Sequence, residues 1–266
     1  MEYIIYIVIL LLAFFLFYSK EKFTDLINVP HFIPRKININ NNLITPLDVY
    51  MTWGFSNVPQ GMYDNIMSNV ENNPEFNFYI YNDDQCREFI RQNFDNDVLD
   101  AFDQLVPGAY KADLWRYCIL YKNGGIYMDI KYNTKVKLLN LINEYPICLT
   151  QDIHPNTSYN GFMISSPNFK IFDLAIKQVV KNVKNKYYGL NSLYPTGPGL
   201  LGDILKKYNF TSLNRVIYTP ESIYDRNNKL LLQMYPTYRL EQSKSQKTKK
   251  YADLWSIKKI YLSDNV

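Results

Sequence analysis

The chain has 266 residues, 47% of them hydrophobic and 16% aromatic, with a formal net charge of +4. That length suits one catalytic-size domain with an appendage, and the apolar content excludes wholesale disorder. A mild positive charge without a basic block permits phosphates or membrane headgroups but argues against nucleic acid, three scattered cysteines (Cys86, Cys118, Cys148) exclude a zinc knuckle or disulfide scaffold, and two histidines (His31, His154) leave little for a histidine-built metal site or a Ser-His-Asp triad.

Tyr3 to Tyr18, YIIYIVILLLAFFLFY, is an uncharged run of 16 residues. As a helix it spans roughly 24 Å, a little short of a hydrocarbon layer about 30 Å thick. Tyr3, Tyr6 and Tyr18 suit the two interfaces, and Lys20 and Lys22 can snorkel to extend the span. We read residues 1–19 as a single-pass membrane anchor. A cleaved signal peptide and a buried helix are the alternatives, and no A-x-A cleavage site follows Tyr18. Lys20, Lys22, Arg35 and Lys36 all follow the span, so the positive-inside rule puts the rest of the chain in the cytosol. Secretory-pathway enzymes of this layout face the lumen, and the two criteria oppose each other.

Residues 20–46, with three prolines and the run NINNN, read as a stem or irregular lead-in, and residues 47–266 as the folded domain. Leu47 to Trp53 is a strand stopped by Gly54. Pro59 to Val70 reads as helix, broken at Asn72-Asn73-Pro74. Phe76 to Tyr81 suits a buried strand, and Asn82-Asp83-Asp84 caps a helix through Phe94. A short helix covers Asp97 to Leu105. An apolar helix then carries Asp113 and Arg116, three apart and so on one face, and Gly124-Gly125 stops it. The following strand, Ile126 to Tyr132, delivers Asp129. Strands at Ile147–Gln151 and Gly161–Ser165, a helix from Phe169 to Lys186, and a helix opened by Thr196-Gly197-Pro198-Gly199 and running to Tyr208 continue the alternation. Strands near Val216–Thr219 and Leu230–Met234 follow in a more irregular tail, with Gln242–Lys250 a plausible mobile loop. This βα alternation predicts an α/β domain with a mainly parallel sheet and helices on both faces.

Taken separately, the chemistry-bearing residues have ordinary explanations. Asp113 and Arg116 form an i,i+3 ion pair, Gly124-Gly125 a turn, Asp129 a strand-edge acid, and Trp53 a core aromatic. Two observations count against them. The helix around Asp113 and Arg116 is apolar nearly all round, so its charges want a partner or ligand, and Asp129 is a lone acid among Ile126, Tyr127, Met128 and Ile130. Together they bring an acid, a guanidinium and a second acid to one sheet edge, where α/β proteins bind ligands.

The stretch ADLWRYCILYKNGGIYMDIK resembles the signature of glycosyltransferase family 32, A-D-x-x-R-Y followed by L-Y-x-x-G-G-I-Y-x-D-x-D. The resemblance spans roughly Leu47 to Trp255 and is densest in this centre. It implies a GT-A fold, a retaining hexosyltransferase using a UDP- or GDP-sugar, and a glycan, lipid or protein acceptor. By the same resemblance, Asp113 and Arg116 match the pair that binds donor-sugar hydroxyls, and Asp129 matches the first acid of the DxD motif, at the donor ribose and metal region. Trp53 matches the tryptophan that stacks on the base, and Trp255 the one in the C-terminal loop that closes over the diphosphate. Asn160-Gly161-Phe162-Met163 resembles an N-x-F-M segment, and Gly197-Pro198 a G-P before a helix. An endomembrane location of the Golgi or ER kind goes with it.

One position departs. Lys131 stands where the family usually has the second DxD acid, the normal direct ligand of a Mn²⁺ or Mg²⁺ ion. A protonated lysine cannot coordinate a cation. Three readings follow: Asp129 holds a metal alone or with Asp152 or Asp253; Lys131 itself neutralises the diphosphate; or the domain is an inactive nucleotide-sugar or glycan-binding module on the same fold. The residues nominate no catalytic base.

Overall fold

A computed structural model describes residues 26–39, 42–245 and 249–262. The run read as a membrane anchor lies outside them. Among the described residues no helix is long and apolar enough to cross a membrane.

The elements alternate along the chain. Strands β1 (Leu26–Asn28), β2 (Phe32–Ile33), β3 (Asp48–Thr52) and β4 (Asn57–Pro59) precede helix α1 (Gln60–Asn72) and β5 (Asn77–Tyr81). Helices α2 (Asp83–Asn93), α3 (Asn96–Gln104) and α4 (Gly108–Asn123) lead to β6 (Gly125–Met128) and β7 (Tyr132–Thr134), then α5 (Leu138–Glu144), β8 (Cys148–Gln151) and β9 (Ser158–Ser165). Helices α6 (Lys170–Lys184) and α7 (Pro198–Lys207) precede β10 (Asn214–Thr219), β11 (Ser222–Asp225), β12 (Leu230–Met234), α8 (Tyr238–Ser245) and α9 (Tyr251–Ser256).

Ten strands form one sheet in the order β2-β5-β3-β6-β9-β8-β10-β11-β12-β7, and β1 pairs with β4 beside it. The sheet is mixed, which corrects the expectation of a mainly parallel one. Among the described residues only β3–β5, β3–β6 and β8–β10 run parallel. The difference has a local cause: β9 turns back beside both β6 and β8, and β10 to β12 form a hairpin ladder that ends on β7. Short turns join antiparallel strands, whereas a parallel pair needs a long crossover, and the helix-poor stretch from 214 to 234 offers none. Two strands lie in the segment read as a stem: β2 pairs with β5 at the sheet edge, and β1 with β4.

Helices cover both faces, as the pattern predicts. Val49, Met51, Ile126, Met128, Phe162 and Ile164 meet α1 and α5 in one apolar layer. Tyr50, Tyr127 and Met163, one residue out of phase, meet α2 to α4, α6 and α7 in the other. Helix α4 is the centre of that second layer. Leu114, Trp115, Tyr117, Cys118, Ile119 and Leu120 are all fully buried, and a helix apolar all round belongs inside.

Capping follows the residues. Asn82 accepts from Gln85 N while the Gln85 side chain accepts from Asn82 N, a reciprocal capping box. Helix α4 ends at Gly124, whose φ of 67° is left-handed. A Cβ there would lie 2.6 Å from Pro167 N, so both conformation and space require glycine. The segment Gln242–Lys250 is helical through Ser245 rather than a loop, and residues 246–248 lie outside the described chain.

Candidate active site

The predicted strand Ile126–Tyr132 is in fact two strands with a turn between them. β6 stops at Met128, and Tyr132 N donates to Asp129 O at 3.0 Å to close the turn. Asp129 is held at the carboxyl end of β6 by its own N–H, which donates to Gly161 O on β9 at 2.8 Å. The turn is pinned from α1. Asn65 Nδ2 donates to Ile130 O and Tyr132 O, each at 3.0 Å, and Asn69 Nδ2 to Tyr132 O at 2.7 Å. Asn69 Oδ1 accepts from Thr134 N at 2.8 Å. Both asparagines are buried; the Asn69 bonds engage both ends of its amide, whereas among the described residues only the amide nitrogen of Asn65 is engaged and its Oδ1 has no partner.

Four groups converge on the Asp129 carboxylate. Oδ1 accepts from Tyr127 Oη at 2.9 Å and lies 3.7 Å from Arg116 Nη1. Oδ2 accepts from Lys131 Nζ at 2.8 Å and Tyr159 Oη at 3.1 Å. Gly161 makes the room: a Cβ there would stand 2.2 Å from Tyr159 Oη and 2.5 Å from Asp129 Oδ2. Burial pushes the Asp129 carboxyl up, but Lys131 and Arg116 outweigh it and hold it at about 2. Burial also keeps the Tyr127 and Tyr159 phenols above their usual range, so both stay donors.

Arg116 joins the two acids predicted from the sequence. Its guanidinium lies 3.6 Å from Asp113 Oδ1, stacks 4.4 Å from the Tyr127 ring centre, and donates from Nη1 to Asn160 O at 2.8 Å. Asp113 accepts from Asn160 Nδ2 at 2.8 Å and Thr196 Oγ1 at 2.7 Å. Burial pushes its carboxyl above the usual range, against the pull of Arg116, Thr196 and Asn160. The cluster is layered: the Asp113 and Arg116 side chains are 10% and 8% exposed, whereas Asp129 and Lys131 reach 21% and 16%. Tyr159 also bonds Tyr132 Oη at 2.8 Å and stacks on Tyr218 with ring centres 4.0 Å apart.

The other expected residues are not among the partners of the Asp129 carboxylate. Trp53 follows β3, its N–H donating to Tyr81 O, with the ring buried in the layer shared with Ile130 and Tyr159. Its Nε1 is buried without a partner among the described residues. Trp255, on α9, donates from Nε1 to Tyr188 O at 2.6 Å and packs against the opposite layer. Asp253 is exposed on the same short helix. Asp152 accepts from Ile153 N at 2.7 Å. Among the described residues no three His, Cys, Asp or Glu are grouped to hold a metal, so neither Asp152 nor Asp253 joins Asp129 in such a set. Nor does the donor set at Asp129 suit a divalent ion. One carboxylate has both oxygens engaged by phenols and flanked by cations, where Mn²⁺ and Mg²⁺ need several free hard oxygens.

Residue-by-residue reading missed Tyr127, Tyr159 and Thr196, and gave Asn160 no role. For Asn65, Asn69 and Asn73 a signal existed: three asparagines at spacing four along a helix whose other inward residues are Met62, Ile66 and Val70.

Comparison with known proteins agrees with the central signature. Residues 59–147 match the family described as "Glycosyltransferase sugar-binding region containing DXD motif". Inositol phosphoceramide mannosyltransferase 2 of Schizosaccharomyces pombe is 28% identical over 199 residues, covering 74% of this chain and 55% of the relative. An uncharacterized glycosyltransferase of Acanthamoeba polyphaga mimivirus is 27% identical over 168 residues, covering 61% of this chain and 65% of that one. The chain thus spans little more than half of the fungal relative's length. Among solved structures, a PaToxG glycosyltransferase superposes with a TM-score of 0.51 at 16% identity, over 62% of this chain and 70% of that one. That likeness concerns the fold alone, an α/β fold of the GT-A kind.

Proposed function

We propose that this chain is a glycosyltransferase that moves a hexosyl group from a nucleotide sugar to a glycan, lipid or protein acceptor, with retention of configuration. The observation that carries the reading is the Asp113–Arg116–Asp129 constellation, assembled at the carboxyl end of the central strand β6 inside the segment that matches a sugar-binding family. The transfer breaks the bond between the anomeric carbon and the diphosphate oxygen and forms one to an acceptor hydroxyl, whose proton is lost. What the side chains supply is position and charge. Asp113 and Arg116, locked by Asn160 and Thr196, form a rigid polar floor for sugar hydroxyls. Asp129 and Lys131, the more exposed pair, face the diphosphate side. Trp53 is assigned to the base, which needs its buried ring uncovered, and Trp255 to a closing C-terminal segment.

The relative's name makes mannosyl transfer to an inositol phosphoceramide the first reaction to test. We further assign the chain to an endomembrane, anchored through Tyr3–Tyr18. The full chain in mild detergent, incubated with UDP- and GDP-hexoses, should release nucleoside diphosphate from at least one of them. A folded protein that binds a donor by calorimetry yet releases nothing is the alternative binding module, which the fully engaged carboxylate of Asp129 favours. A folded protein that binds none contradicts both.

A further inference from the structure

We propose that this chain takes its nucleotide donor without a divalent metal, and that Lys131, backed by Arg116, supplies the positive charge that the leaving diphosphate requires. The proposal rests on the glycosyltransferase reading and specifies its charge chemistry.

A divalent ion at the end of β6 would meet one carboxylate and two fixed cations. Lys131 Nζ already sits 2.8 Å from Asp129 Oδ2, and Arg116 Nη1 lies 3.7 Å from Oδ1. Each oxygen also accepts a phenol hydrogen bond, from Tyr127 or Tyr159. To bind there, the ion must displace a lysine that is 16% exposed and held over the Tyr132 and Tyr159 rings, with Nζ 5.1 Å and 5.4 Å from their centres. It must also tolerate like charges at close range in a water-poor site. No second acid compensates, because the position two residues beyond Asp129 is the lysine itself.

Lys131 has what the diphosphate needs. An ammonium carries three donors, and Asp129 takes one. The turn that carries Lys131 is fixed by Asn65 and Asn69, so the charge is positioned before any ligand arrives. Asp129 then acts as the orienting partner of Lys131 rather than as a ligand.

The test is calorimetric binding of UDP and GDP to the full chain in detergent, in excess EDTA and in Mn²⁺, with nucleotide release followed in parallel. The wild-type chain is expected to bind one of the two with affinities within about twofold in both buffers, since each direct charge–phosphate contact comes from the protein. Lys131→Ala is expected to lose about tenfold or more in EDTA, as expected for loss of a charge-assisted hydrogen bond. Lys131→Arg should retain metal-free binding, and Lys131→Asp should bind only with Mn²⁺. Melting temperatures confirm that each variant is folded. Binding by the wild type only in Mn²⁺, or by Lys131→Ala as tightly as by the wild type, overturns the proposal. Mn²⁺-dependent transfer would do so while leaving the glycosyltransferase reading intact. Metal-free binding without transfer to any acceptor supports the metal-free diphosphate site alone and removes that reading, and with it the role of Lys131 toward a leaving group.

Discussion

At the scale of single residues, the site is organised around Asp129, which organises its neighbours more than it presents itself. Its folded-state pKa of about 2 lies below the ordinary carboxylate value. The ionised form therefore stabilises the fold above about pH 4, and that contribution is lost as the pH falls toward 2. Asp129→Asn leaves Lys131 and Arg116 less compensated and should destabilise the protein by about 1–3 kcal/mol at pH 7. The gap between wild type and variant should narrow between pH 4 and pH 2, measured by urea unfolding at each pH. A gap that stays constant down to pH 2 would contradict the ion-pair assignment. Gly161 tests the same pocket by volume. Gly161→Ala places a methyl within 2.5 Å of Asp129 Oδ2 and closer still to Tyr159 Oη, so Tyr159 must move. We expect donor affinity to fall by about tenfold, roughly 1.4 kcal/mol, together with a loss of stability of about 1–3 kcal/mol from the overpacking, read by urea unfolding; unchanged affinity in the folded variant would place the donor away from this pocket. These dependencies were not legible in the chain. Tyr127 and Tyr159 look like core aromatics because nothing in a one-dimensional pattern shows that their hydroxyls meet one carboxylate from two strands. Asp113, Arg116 and Asp129 stood out in the chain as charges inside an apolar helix or strand, and the structure groups them.

At the scale of elements, α1 does more than cover the sheet. Its apolar residues Met62, Ile66 and Val70 fill one layer, while Asn65, Asn69 and Asn73 on the same inward side bond the backbone after Asp129. Asn69→Leu removes a donor to Tyr132 O and the acceptor of Thr134 N. It should cost about 2 kcal/mol by chemical denaturation and weaken donor binding as the turn loosens. Unchanged stability would mean that the turn holds itself. The strong helices and strands were readable from periodicity and punctuation: Asn82 caps where Asn82-Asp83-Asp84 predicts, and Gly124 stops α4 at a positive φ. The split of β6 from β7 was not readable, since Ile126 to Tyr132 is uniformly strand-like except at Asp129 and Lys131. Tertiary hydrogen bonds from Gly161 and α1 impose the turn there.

At the scale of the whole molecule, helices on both faces were legible and the strand directions were not. Alternating elements do not reveal that β9 reverses beside β6. That reversal matters for the site, because it lays Tyr159, Asn160 and Gly161 across the carboxyl end of β6, where Asp129 begins its turn. The proposed membrane anchor leaves the side occupied by the domain open to a direct check. Two glycosylation sequons, Asn156-Thr157-Ser158 and Asn209-Phe210-Thr211, each place the asparagine on an exposed turn with positive φ, so a luminal domain predicts an attached glycan at one of them and a cytosolic domain predicts none. The proposed function stands on Asp113, Arg116 and Asp129 holding the donor sugar. The most direct test is nucleoside diphosphate release from GDP-mannose and the UDP-hexoses by the full chain, wild type against folded Asp113→Ala and Asp129→Ala. We expect release from one donor by the wild type and a loss of at least about 100-fold, near 2.7 kcal/mol, in each variant. Near-normal release by either folded variant would show that the donor does not depend on that carboxylate.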